Sequence, residues 1–429
     1  MHRALAAVVL ALATCAIAAD WPTFLGPTRD GTSTETGILK PWPKNGLKKV
    51  WECDLGIGYA APVIADGKLY HCDRFDDNIR LTARDAVTGK FLWKYEYATA
   101  YEDMYGYDAG PRACPVVDGD RVYVYGPEGV LVCVSTAGKE VWKLETRKSY
   151  FFHQNFFGVG SVPLVDGDLL IVAVGGSEKA PRPDDFRTVK PNGTALVAFD
   201  KKTGAVKWTG GDELASYASP TIATLDGKRT GLYFARGGLL GFDPQTGKTE
   251  FRYPYRSKLL ESVNASNPVV IGNKVLLTEC YGPGAALLEV KAGKPKELWT
   301  DKDKESVDRS MAAHWNTPIH VNGFVYGSSG RHAEDADVRC IDLATGDIKW
   351  RQKRTTRTSL TLVDGHFVSL SEFGELALLK VNPEKYDAVS KYEVPELQYP
   401  CWAAPVVSNG LLYVRGKGKL VALELVAKK

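Results

Sequence analysis

A unit made of an apolar run after Pro, an Asp-Gly or Asn-Gly turn, a second apolar run and a segment such as "LTARDAVTGKFLW" or "LVAFDKKTGAVKW" returns along the whole chain. Its starts are Pro62, Pro115, Pro163, Pro220, Pro268, Pro318, Leu360 and Pro405, eight in all, spaced by 42 to 57 residues. Asp66-Gly67, Asp118-Gly119, Asp166-Gly167, Asn322-Gly323, Asp364-Gly365 and Asn409-Gly410 sit between runs of period two, the strongest short hairpin signal. Thr88-Gly89, Thr203-Gly204, Thr246-Gly247 and Thr345-Gly346 mark a second hairpin in each unit. Trp93, Trp142, Trp208, Phe251, Trp299 and Trp350 then fall on the last strand, where a large aromatic can pack between neighbouring sheets.

Four-stranded units at this spacing predict an all-β fold, an eight-bladed β-propeller whose radial closure hides most strand edges. The eighth unit lacks its closing strand, because the chain ends soon after "GKLVALELVAKK". A spare strand stands at the other end: "GLKKVWECDL", 46–55, with Trp51, precedes the first unit. The expectation is one propeller over 20–429, with blades over about 59–425 and the last blade closed by the N-terminal strand. Without that strand an edge would stay open to aggregation.

Residues 1–19 read as a secretory signal: Met-His-Arg, the apolar run "ALAAVVLALA", and small residues at Ala16-Ile17-Ala18. The apolar run is too short to span a membrane, and the expected location is the periplasm or the cell surface. Lipid anchoring at Cys15 is disfavoured by the Thr before it. Lys and Arg number 54 against 51 Asp and Glu, without a basic cluster, which argues against a nucleic-acid partner. The chain is expected to be a monomer. Seven Cys remain after Cys15, an odd number, and most read as small buried hydrophobes.

Motifs that carry chemistry are near-misses. "QTGKTE" has Phe242 where a phosphate loop needs Gly, and "GVGSVP" leads into Pro163 and a strand where a dinucleotide fingerprint needs a helix. His residues are scattered singly, and no metal site is predicted from them.

In such a ring the interblade connections share one face, where binding loops sit on a rigid scaffold. Three residues before each unit start lie Tyr59, Arg112, Gly160, Tyr217, Ala265, Trp315, Arg357 and Trp402, with His314 beside Trp315. Equivalent positions converge on the mouth of the central channel. A second set recurs where the second strand ends: Arg74, Glu128, Arg236, Glu279, Arg331, Glu372 and Arg415. Both sets are candidate binding residues, and interblade ion pairing is the alternative for the second. Loops 97–112, 146–160 and 175–193 overhang this face, the first two rich in Tyr and Phe.

The repeat "L-x-A-x-D-x-x-T-G-K-x-x-W", with "DWPTFLGPTRDGTS", "ASYASPTIATLDGK" and "FGELALLKVNPEKY", resembles exported bacterial PQQ-like eight-bladed propellers, the quinoprotein alcohol dehydrogenase-like family that includes BamB-like proteins. The dehydrogenase members imply a vicinal disulfide on the quinone, a calcium ion held by Glu, Asn and Asp, and an Asp base. This chain has no adjacent Cys pair. The leading expectation is therefore a non-catalytic binding or scaffold module without a cofactor, whose partner is an envelope protein segment or a polar small ligand. The alternative is an oxidoreductase using PQQ with calcium, with Arg236 or Arg415 on the cofactor's carboxylates and Glu279 or Glu372 at the calcium. No catalytic residue is assigned.

Overall fold

The computed structural model describes residues 19–151, 156–178, 188–260 and 262–427. Residues 1–18 of the expected signal segment, Cys15 among them, residues 152–155 of the 146–160 loop and the middle of the 175–193 loop lie outside them. Eight antiparallel sheets of four strands follow one another around a central channel, the predicted propeller. Blade 1 comprises Val63–Ala65, Lys68–Phe75, Asn78–Asp85 and Phe91–Ala98, from the channel outward. The innermost strands of blades 2 to 8 begin at Val116, Leu164, Thr221, Val269, Ile319, Thr358 and Val406. Leu360 thus lies inside its strand, three residues further along it than the other unit starts, each of which stands just before its strand.

Blade 8 takes its outer strand from the other end of the chain. Lys49–Asp54 pairs antiparallel with Lys419–Glu424, setting Trp51 opposite Ala422. This is the closure that the spare "GLKKVWECDL" segment predicts.

The recurring letters of the unit have local physical causes. In Asp66-Gly67, Asn322-Gly323, Asp364-Gly365 and Asn409-Gly410 both residues have positive φ, the two-residue turn that matches strand twist. At Asp118 and Asp166 only the following Gly is left-handed, because each Asp is the last residue of its strand. The Asp of "D-x-x-T-G" accepts backbone N–H bonds two or three residues on: Asp85 from Thr88, Asp200 from Lys202 and Thr203, and Asp342 from Ala344 and Thr345.

The outer-strand Trp and the turn Gly belong together. Trp51 lies on Gly89 of the next blade, Trp93 on Gly138, Trp142 on Gly204, Trp208 on Gly247 and Trp299 on Gly346. Each of these glycines has φ between 72° and 86°, and a Cβ there would stand 3.1 Å or less from the ring. The indole N–H of Trp51 donates to Ala86 O at 3.0 Å, Trp93 to Thr136 O at 3.0 Å, Trp299 to Leu343 O at 2.9 Å and Trp350 to Asn382 O at 2.9 Å. Blade 7 has Tyr392 on its outer strand, and this ring packs on Gly46, just ahead of the closing strand.

Residues 19–38 make an element that the repeat does not announce. Trp21 exchanges backbone hydrogen bonds with Ile64 of blade 1, at 2.8 and 2.9 Å, and Val117 of blade 2 donates to Pro22 O at 2.9 Å. Arg29 reaches the Val165 carbonyl of blade 3 at 3.4 Å. Gly31 lies against Ile319 of blade 6, and Thr32–Ser33 adds a parallel fifth strand to blade 7. The segment therefore crosses the channel at the face of the hairpin turns and closes it there.

Trp51→Ala removes a buried ring from the joint that shuts the circle. We expect a stability loss of about 3–5 kcal/mol, typical of a buried Trp truncation, read as a lower denaturation midpoint in urea.

Candidate functional site

All eight positions that precede the unit starts line one cavity of about 430 Å³ at the channel mouth. Phe24, from the segment that crosses the channel, is part of its lining. The sequence spacing thus converges on one place.

Most of the wall is a chain of aromatic rings alternating with cations. Tyr217 packs on Phe157 with centroids 6.0 Å apart, and Arg112 lies 5.2 Å over Phe157 and 4.8 Å over Tyr59. Tyr59 meets Trp402 at 4.6 Å, and Trp402 meets Trp315 at 5.0 Å. Arg357 covers both indoles, at 4.6 Å from Trp315 and 5.5 Å from Trp402. His314 follows at 4.9 Å from Trp315, then Tyr281 at 5.5 Å, with Arg331 lying 4.5 Å over its ring. The rest of the wall is small: Gly160, Ser219, Val263 and Ala265. Gly160 has a steric reason, since a Cβ there would lie 2.6 Å from the Tyr217 ring.

Among the described residues, the lining contains three Arg and two His but no Asp or Glu. The nearby acids stand behind the wall and hold its cations. Glu372 accepts from Arg357 Nε at 3.0 Å and Nη2 at 2.5 Å, and from Trp402 Nε1 at 3.2 Å. Burial works to lower the Arg357 guanidinium, but Glu372 outweighs it and holds the group above its ordinary value. Asp103, itself buried, takes Arg112 Nη2 at 2.9 Å. Arg331 makes no ion pair with any described carboxylate.

The second predicted set divides. Arg331 is in the wall. Arg74 donates to Tyr101 O and Asp76 O, and borders a separate recess of about 400 Å³ that Tyr59 shares. The structure does not bring Glu128, Arg236, Glu279, Glu372 or Arg415 into the cavity lining. Arg415 is buried and donates to Gly58 O and Ala60 O, both at 2.6 Å, tying blade 8 to blade 1; burial lowers its pKa. Arg236 is also buried, donates to Leu260 O at 3.4 Å, and is lowered to about 10 by burial and then by Arg256. Glu128 is held above its usual range by burial. Glu279 accepts from Ser262 Oγ and Gly282 N, both at 2.9 Å, and burial pushes it up to about 7.

These placements test the residues proposed for PQQ and calcium. Arg415 is committed to backbone carbonyls, Glu372 to Arg357, and Glu279 to a buried hydroxyl and an amide. As arranged, they do not fit a calcium-bound quinone. The lining groups themselves are poorly activated: burial followed by Arg357 and Arg331 lowers His314 to about 3, and burial raises the Cys114 thiol to about 12. The seven described Cys are all free thiols.

Sequence reasoning missed Phe24, Tyr107, Phe157, Tyr281, His332 and Tyr399, all of which line the cavity. Tyr107 and Phe157 could have been found, because they stand in the two aromatic loops already picked out.

Fold and cavity together define a closed eight-bladed propeller with an aromatic, cationic cavity at its mouth. The chain belongs to the PQQ-repeat family whose model, described as outer membrane protein assembly factor BamB, matches residues 77–352. It is 26% identical over 174 residues to the dehydrogenase subunit of a quinone alcohol dehydrogenase from Gluconobacter oxydans (strain 621H), covering 38% of this chain and 20% of that protein. The chain thus spans about a fifth of the length of the curated relatives it matches. A europium-containing methanol dehydrogenase is similar in fold, with a TM-score of 0.69 at 13% identity over 94% of this chain and 90% of that one. BamB from Moraxella catarrhalis gives 0.59 at 16% identity over 89% and 99%. Among the described residues no helix is long and apolar enough to cross a membrane.

The raised Glu279 pKa carries a pH signature. Below about pH 4.5 its carboxyl is protonated in both folded and unfolded chains and has no effect on stability. Between there and about pH 7 the unfolded chain ionises first, so stability falls, by on the order of 3 kcal/mol in total. Glu279→Gln should flatten this decline and be the more stable protein at pH 8, as measured by urea unfolding across pH.

Proposed function

We propose that this chain is an exported, non-catalytic binding module of the cell envelope, and that the channel mouth is its binding site. One observation carries the reading: the cavity wall offers cations and aromatic surface, while the acids around it are committed to holding arginines or to buried polar bonds. Such a wall suits an anionic or aromatic group, and its volume falls in the range of small-ligand pockets, about 300–1,000 Å³. Exposed Tyr107, Phe373 and Tyr399 around it extend the contact surface, as at protein interfaces. Trp315→Ala combined with Trp402→Ala should weaken capture of an envelope partner at least tenfold by surface plasmon resonance, about what loss of central aromatic anchors costs. Phe91→Ala, on the outer strand of blade 1, should leave capture unchanged. Equal binding by both variants would remove the mouth from consideration.

A second reading, a PQQ-dependent oxidoreductase, is supported by the combination of aromatic planes and arginines and by the likeness to quinone-dependent alcohol dehydrogenases. Calorimetric titration with PQQ, with and without calcium, separates the two. We expect no saturable binding; calcium-dependent binding at a defined stoichiometry would put the oxidoreductase reading first.

A further inference from the structure

Two of the three arginines in the wall are neutralised from behind, Arg112 by Asp103 and Arg357 by Glu372. His314 is half-buried and lies 3.0 Å from the Tyr281 hydroxyl through Nε2. Arg331 is left. Its guanidinium stacks on Tyr281 and makes no ion pair with a described carboxylate, so the wall carries one uncompensated guanidinium. A polycarboxylate would leave anionic groups there without partners, whereas a single carboxylate would be matched.

The aromatic faces narrow the occupant further. Adjacent rings are inclined to one another, by 54° between Tyr59 and Trp402, 45° between Trp315 and Trp402 and 82° between Tyr399 and Trp402. They form a faceted cup suited to an apolar side chain. At the rim of the cup Tyr107 is 66% exposed, and beyond the lining Phe373, stacked on Tyr399 at 5.0 Å, is 57% exposed, so apolar surface continues outward from the cavity. Exposed apolar surface that continues from a pocket marks a partner larger than the pocket.

Building on the binding-module reading, we propose that the mouth receives the C-terminus of a polypeptide: its last apolar side chain in the cup, its terminal carboxylate on Arg331, and its preceding residues across Tyr107, Tyr399 and Phe373. The chemistry is that of carboxylate recognition by a planar guanidinium fork. The requirement for a free terminus is what distinguishes this from recognition of an internal segment.

The test uses the hexapeptide Gly-Ser-Gly-Ser-Leu-Phe as free acid and as C-terminal amide, with benzoate as a small-anion probe, each titrated into the protein and followed by calorimetry. The acid should bind at least about tenfold more tightly than the amide, the effect of one charge-assisted contact. Arg331→Gln should abolish that difference by weakening only the acid, and Arg331→Lys should restore part of it. Equal binding of acid and amide overturns the terminal-carboxylate proposal while leaving the mouth as a binding site. Binding of benzoate without either peptide reassigns the cup to small aromatic acids. Binding of no probe also overturns the proposal; the broader reading is then judged separately, by the partner capture of the Trp315 and Trp402 variants.

Discussion

The contact between an outer-strand Trp and the turn glycine of the next blade is the joint on which this structure depends. A four-stranded sheet leaves its faces unburied until a neighbour covers them, and the joint fixes how far each blade is rotated against the next. The indole needs a flat surface, which only a residue without Cβ offers at that distance, and the left-handed turn needs the same residue for its positive φ. One position thus meets two demands, and "T-G" and "W" recur together for that reason. In Trp208 on Gly247 the stacking persists although the indole N–H has no hydrogen-bond partner. Trp350 shows the converse, keeping its hydrogen bond to Asn382 O with no glycine beneath the ring, so packing and hydrogen bond each suffice at a joint.

Because eight blades close a circle, residues at equivalent places in each unit reach the same small volume at the mouth. That is why counting three residues back from each unit start found the cavity wall without knowledge of any loop. The same argument holds for only Arg331 of the second set. Positions at the end of the second strand are also equivalent, but their strands lie one layer further from the channel, and their side chains meet neighbouring blades and loop backbone. Arg415 and Glu372 show what this layer does: one holds the carbonyls at the 8–1 seam, and the other holds Arg357 against two indoles.

What stayed illegible follows from the same logic. Residues 19–38 occur once, so no period exposes them, and their contacts with six blades come from chain direction and shape. Trp21, Phe24 and Arg29 carry no local signal that distinguishes a channel-crossing segment from a leader's tail. Tyr281 and Tyr399 stand in interblade and hairpin loops whose lengths differ from blade to blade, so spacing cannot align them. Tyr107 and Phe157 were visible only as members of aromatic-rich loops; their meeting across two blades, with centroids 5.8 Å apart, is a tertiary fact.

A propeller repeats, but its mouth does not, and the departures from repetition are where selectivity is written. Gly160 and Ala265 stand where other blades place Tyr, Trp or Arg. At Gly160 the omission admits the Tyr217 ring. The result is a wall that is aromatic and cationic through most of its circuit and small on the remainder. Under the proposed binding reading, that asymmetry would orient a ligand, with its apolar bulk toward the rings and its charge toward the sector of Arg331. Placing Glu372, at the end of a second strand, behind Arg357 and Asp103, of the 97–112 loop, behind Arg112 completes the arrangement. Each acid holds a guanidinium flat on an indole or phenol, where it rigidifies the cup, and leaves the cavity with cationic character without a carboxylate inside it to repel an anion.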